Sequence, residues 1–178
     1  MDHTRVGVST LRWSPNGQWL ATREYNGSDP LRIRVYAADT GTRLGPVVEV
    51  QRCSDFALSN RGDVIISNRS GEVYFRKYDD DKLQMLVTAN LDSAAARVAL
   101  TGDGTRAAVL LTNGLVRLLS TTDGHILTEW RPWFPYTLLQ DPLPGGVVFI
   151  NDSLLAVAYS NENAALRFIP LDSPKAKE

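Results

Sequence analysis

Apolar residues come in short bursts that stop at tight polar turns. The first burst, Leu11-Arg12-Trp13, halts at Ser14-Pro15-Asn16-Gly17 and resumes at Trp19-Leu20-Ala21. Phe56-Ala57-Leu58 halts at Ser59-Asn60-Arg61-Gly62 and resumes at Val64-Ile65-Ile66. Val98-Ala99-Leu100 halts at Thr101-Gly102-Asp103-Gly104 and resumes at Arg106-Ala107-Ala108. Val148-Phe149-Ile150 has a shortened turn, Asn151-Asp152-Ser153, before Leu154-Leu155-Ala156. Short apolar runs bounded by Gly, Asn and Asp predict strands joined by hairpins. No stretch combines a helical period with caps. The chain therefore reads as almost wholly β.

Each pair of strands is followed by a third at a matching place: Ile33-Arg34-Val35-Tyr36, Val73-Tyr74-Phe75-Arg76, Val116-Arg117-Leu118-Leu119 and Leu166-Arg167-Phe168-Ile169. Fourth strands are expected at Arg43 to Val50, Leu83 to Val87 and Ile126 to Trp130, with none after Leu171. Repetition at roughly 40–50 residues marks a repeat architecture. The units run over about 3–50, 51–90, 91–131 and 146–173, with a polar tail at 173–178. Glu24 to Pro30 lengthens the link between strands two and three of the first unit. A longer insertion, Arg131 to Gly146, holds four prolines and reads as a connecting loop.

The segment from His3 to Ala21, with its Ser14-Pro15-Asn16-Gly17 turn, resembles the opening of a WD repeat. His3 stands for the histidine of that family, with Asp2 in place of glycine, and Asn16 stands where Asp is usual. Ile33-Arg34-Val35-Tyr36-Ala37 resembles the strand that ends in Trp-Asp, with Tyr36 and Ala37 in those two places. No unit keeps the Trp-Asp pair: Lys77, Ser120 and Pro170 fall at or near the Asp position. The same turn also resembles TolB-type propellers. The resemblance implies an all-β propeller of about four blade-like antiparallel sheets, part of a larger or incomplete ring. Each sheet is apolar on both faces, so it needs a neighbour to cover it. Leu58, Ile65, Ile66, Val109, Leu110, Leu118, Leu155 and Val157 should then pack between blades. An incomplete arrangement further predicts bare strand edges and apolar faces at both ends.

Composition removes several functions. A net charge of −1 gives no field to attract nucleic acid or an anionic membrane. No apolar run nears the roughly 20 residues that cross a bilayer. Cys53 is alone, which excludes an internal disulfide and fits a reducing compartment. With no signal-peptide core after Met1, the cytoplasm is the expected location. Asn26, Asn68 and Asn151 fit the glycosylation pattern but read as turn residues.

Candidate chemistry is sparse. His3 and His125 are the two histidines, and neither sits in a nucleophile motif. One Cys and two His cannot build a zinc site. Asp79-Asp80-Asp81 lacks the spacing of a calcium loop and reads as a solvated turn. Arg34, Arg117 and Arg167 recur at one register, which gives them a structural or solvent-facing role. No cofactor, metal or catalytic residue is expected, and the chain reads as non-enzymatic. A propeller enzyme with a small molecule in its channel would need inward-facing acids or histidines, and the sequence marks none.

Binding remains. Interfaces concentrate Trp, Tyr and Arg, and Trp130 to Tyr136 gathers them in one loop. By blade connectivity, that loop and the first unit's insertion emerge on one face. Arg23, Tyr25, Arg131, Trp133, Phe134 and Tyr136 are thus the candidate partner-binding residues. The expected partner is another protein, with self-association or completion of the ring by another chain also open. A TolB-like or sensory module beside a catalytic domain is the alternative.

Overall fold

Strands dominate because branched and aromatic residues alternate over runs too short for helices. The computed structural model describes residues 7–25, 30–78, 84–87, 93–131, 143–160 and 165–171, with 84–87, 143 and 165 described by backbone alone. The first sheet holds β1 (Gly7–Trp13), β2 (Trp19–Tyr25), β3 (Leu31–Ala37) and β4 (Arg43–Val50). The second holds β5 (Cys53–Leu58), β6 (Val64–Asn68), β7 (Val73–Arg76) and β8 (Gln84–Val87). The third holds β9 (Ala95–Leu100), β10 (Arg106–Leu111), β11 (Val116–Ser120) and β12 (Ile126–Trp130). The fourth holds β13 (Leu143–Asn151), β14 (Leu154–Ser160) and β15 (Ala165–Pro170). Each sheet is an antiparallel meander in chain order, and the fourth has three strands among the described residues. This is the propeller architecture, in an open segment of four blades.

The turns after the inner strands share one chemistry. Gly17, Gly62 and Gly104 have φ values of 72°, 85° and 74°, which glycine tolerates best. Before each, a hydroxyl closes the hairpin. Ser14 Oγ accepts the Trp19 N–H at 2.9 Å, Ser59 Oγ accepts the Asp63 N–H at 3.1 Å, and Thr101 Oγ1 accepts the Arg106 N–H at 3.0 Å. Neighbouring turns are then tied together. Asn60 Oδ1 accepts the Asn16 N–H at 2.8 Å, and the Asn60 N–H donates to the Gly102 carbonyl at 2.7 Å.

Three apolar clusters lie between successive sheets. Ala21, Ile33 and Val35 meet Phe56, Leu58 and Ile66. Ile65 and Phe75 meet Val98, Leu100 and Val109. Ala108 and Leu110 meet Leu155, Val157 and Tyr159. All eight residues expected between blades are buried. Burial of a side chain of this size contributes roughly 1.5–3 kcal/mol, so side-by-side stacking is the main source of stability.

The structure departs from the sequence reading at the long insertion. Strand β13 begins at Leu143, before the expected end of the loop at Gly146. The register shifts between Pro144 and Gly146, and a bulge is where a strand accepts proline. The apolar faces expected at the two ends are present: Leu11 and Trp13 on β1, and Val148, Ile150, Leu166 and Phe168 on the fourth sheet, are all exposed.

Candidate functional site

Among the described residues, two regions bear on function: the face carrying the predicted binding residues, and the concave side where the inner strands meet.

Tyr25 ends β2, and its residue pairs with Gly7 across the hairpin. The ring folds over that glycine, because a Cβ there would lie 2.5 Å from Tyr25 Cζ. The tyrosine nonetheless stays exposed. Arg131 follows β12 directly and is exposed. In an antiparallel meander, the end of a second strand and the end of a fourth strand lie at the same end of their sheets. Tyr25 and Arg131 therefore belong to one face, on the first and third blades. Arg23 is differently employed. Its Nε donates to Ser9 Oγ at 3.0 Å, and its Nη1 donates to the Ser54 carbonyl at 3.2 Å. This guanidinium fastens β2 to β1 and to the second blade. Trp133, Phe134 and Tyr136 lie outside the described residues, as do His3 and Asp79-Asp80-Asp81.

The inner strands of all four blades line a cavity of about 510 Å³. Its walls include Trp13, Leu58, Leu100 and Phe149, and its charged groups are Arg12, Asp55 and Arg97. The expectation of no inward-facing acid is therefore overturned by Asp55. A single carboxylate in the apolar strand Cys53–Leu58 was the available signal; its partners lie far away in sequence. Asp55 is buried. Its Oδ1 accepts from Arg12 Nη2 at 3.0 Å, and its Oδ2 accepts the Val98 N–H at 3.2 Å. One carboxylate thus joins three blades, and it satisfies an edge N–H that no fifth strand covers. Arg12 also lies 6.0 Å from the Phe56 ring centroid, within cation–π range. Arg97 Nε donates to the Gly145 carbonyl at 3.2 Å and so reaches the fourth blade. The ionic groups of the concave side are engaged in joining blades.

The other titratable groups follow the same pattern. Burial pushes the Cys53 thiol up to about 11, opposed by nearby Arg23. That thiol stays protonated at neutral pH and makes a poor nucleophile. Burial also raises the Tyr159 phenol, whose hydroxyl donates to the Gly114 carbonyl at 3.0 Å. His125 is exposed in a turn, where its N–H donates to Asp123 Oδ1 at 3.1 Å and helps hold that carboxyl below its usual range. Two of the recurring arginines pair within their own blades: Arg34 Nε lies 2.9 Å from Glu24 Oε2, and Arg117 Nε lies 3.3 Å from Glu129 Oε2. Arg167 is exposed. Among the described residues, no three His, Cys, Asp or Glu side chains are grouped to hold a metal ion.

The fold and its concave side define a β-propeller segment. Solved structures agree on the fold. The chain is similar to Hsv2p of Kluyveromyces lactis, at 17% identity and a TM-score of 0.68, over 95% of this chain and 50% of that one. It is likewise similar to Hsv2 of Kluyveromyces marxianus, at 18% identity and a TM-score of 0.68, over 93% of this chain and 50% of that one. The chain thus spans about half the length of the propellers it matches. No family model and no curated protein matches the sequence.

Proposed function

We propose that this chain is a non-enzymatic protein-interaction module that works in the cytoplasm. Its stacked blades hold connecting segments in fixed positions, and a partner protein reads those segments. The observation that carries this reading is the exposure of Tyr25 and Arg131 at one face of a body whose inward charged groups, Arg12, Asp55 and Arg97, are already hydrogen-bonded. Exposed Tyr and Arg on a rigid scaffold are what protein interfaces use as anchors. The sequence after Arg131 supplies Trp133, Phe134 and Tyr136, residues of the types that interfaces favour. Arg23 supports the surface from beneath by fixing the end of β2.

The test compares the wild-type chain with a Trp133→Ala/Tyr136→Ala variant and with Tyr25→Ala. Capture of one reproducible protein partner by the wild type should fall at least tenfold in both, with melting temperatures within about 2 °C of the wild type, because exposed substitutions cost little stability. A drop of 8 °C or more for the double variant, on the order of 2–4 kcal/mol in a chain of this size, would assign those rings to packing and refute the reading.

A further inference from the structure

The interaction face described above leaves the two ends of the blade row unused, and the ends carry their own signal. We infer that a second copy of this chain seats its first blade on the fourth blade of the first copy, and that the reciprocal contact closes a two-fold ring. This goes beyond the loop-face reading and involves different residues.

The free face of the fourth blade follows from strand alternation. Val147 and Phe149 pack on the third blade, so Val148 lies on the opposite side of the sheet; Val148 and Ile150 also border the concave cavity, Ile150 at a register shift. Val148, Ala156 and Phe168 form one cross-strand row, and Ala158 pairs with Leu166 beside it. Val148, Ile150, Leu166 and Phe168 are each more than half exposed. At the other end, Arg12 reaches the second blade, so Leu11 and Trp13 on either side of it lie on the opposite side of β1, with Trp13 also bordering the concave cavity. They too are more than half exposed. Trp13 precedes its turn just as Leu58 and Leu100 precede theirs, yet those two are only 2% and 3% exposed. Both end faces therefore carry the apolar rows that are buried at every internal junction. Six large apolar side chains on two faces far exceed the scattered exposure normal for a monomer.

Three features select a second copy as the occupant. The two faces are unlike: one is apolar across all three strands, the other has an aromatic and aliphatic inner strand beside the Glu24–Arg34 pair. Like-to-like pairing would cover one face and leave the other bare, whereas head-to-tail pairing covers both. Two copies bring eight blades, inside the range of about 4–8 that closes into a propeller. The chain spans half of the propellers it matches, and a second copy brings a body of the same size. A head-to-tail contact that closes after two copies gives a finite ring and not a fibre. Charge does not oppose it, because the Glu24 and Arg34 charges on the first face already cancel each other at 2.9 Å.

The experiment is light-scattering mass determination on the intact chain and two variants, Trp13→Glu and Phe168→Glu. The wild type should show twice the 19.7 kDa chain mass. Each variant alone places a carboxylate in both junctions and should run as a folded monomer, with far-UV circular dichroism unchanged because both sites are exposed in the single copy. An equimolar mixture of the two should recover the dimer. In the mixed pair both substitutions fall in one junction, and the other pairs Trp13 with Phe168 as in the wild type. A wild type that stays monomeric at all concentrations overturns the proposal. So does a dimer that survives either single variant, or two variants that stay monomeric when mixed. None of these results bears on partner capture by Trp133 and Tyr136, so the two proposals fail separately.

Discussion

Replacing Asp55 by Ala should cost more than its place on a water-facing concavity suggests. The carboxylate is buried and accepts from Arg12 at 3.0 Å and from the Val98 N–H at 3.2 Å. Removing it leaves the Val98 amide without this acceptor, at about 1–3 kcal/mol. The lost ion pair adds little, about 0.2–1 kcal/mol, because the Arg12 side chain is 45% exposed and solvent screens it. The total, about 1–4 kcal/mol, corresponds to a fall in melting temperature of about 2–16 °C at this chain length. Asp55→Asn keeps a carbonyl oxygen for the amide and should cost about 1 kcal/mol or less. Arg12→Ala should cost about as little. Thermal unfolding followed by circular dichroism gives the ordering, and hydrogen exchange at Val98 should accelerate in Asp55→Ala alone. If Arg12→Ala proved as damaging as Asp55→Ala, the ion pair would contribute more than the Val98 amide, and the reasoning would be refuted.

Three further outcomes are expected. Gly104→Ala should be clearly more destabilising than Gly17→Ala: both have positive φ, costing about 1–2 kcal/mol, but a Cβ at Gly104 would also sit 2.5 Å from Asp63 Oδ2, while nothing lies within 4 Å at Gly17. Equal melting temperatures for the two would refute this. Cys53 should react with a thiol reagent at pH 8 roughly a hundredfold more slowly than in the unfolded chain. Its folded pKa of about 11 lies above the unfolded 9.0, so its contribution is full below pH 9 and is lost as pH rises towards 11. Urea titrations at pH 8 and pH 11 should show the fall at high pH, and Cys53→Ala should reduce that dependence. Tyr159→Phe removes the donor to the Gly114 carbonyl and should cost about 1 kcal/mol; a stability equal to the wild type would show that the carbonyl finds another donor.

Much of the fold was legible because hairpin chemistry is local. A Ser or Thr, then Gly, within a few residues of two apolar runs contains all that the turn needs, and Ser14, Ser59 and Thr101 each use it, accepting from Trp19, Asp63 and Arg106. Strand β13 was harder to place, because Pro144 argues against a strand unless a bulge is known to be there. The concave side was not legible at all. Asp55 meets Arg12 and Val98, each 43 residues away along the chain, and such pairing depends on how far one blade is offset from the next. Arg23 shows the same limit: the sequence marks a cation beside a tyrosine, and only the fold shows that its donors reach Ser9 and Ser54.

The chain-order meander has a consequence for descent as well as for stability. Among the described strands, every hydrogen-bonded neighbour is also a neighbour in sequence. One whole sheet can therefore be duplicated or deleted by a single in-frame genetic event, with no crossing to undo and no partner strand stranded elsewhere. What such an event alters is only the number of wedges around the axis. The length of this protein, like its symmetry, is thus a quantity that evolution can adjust in steps.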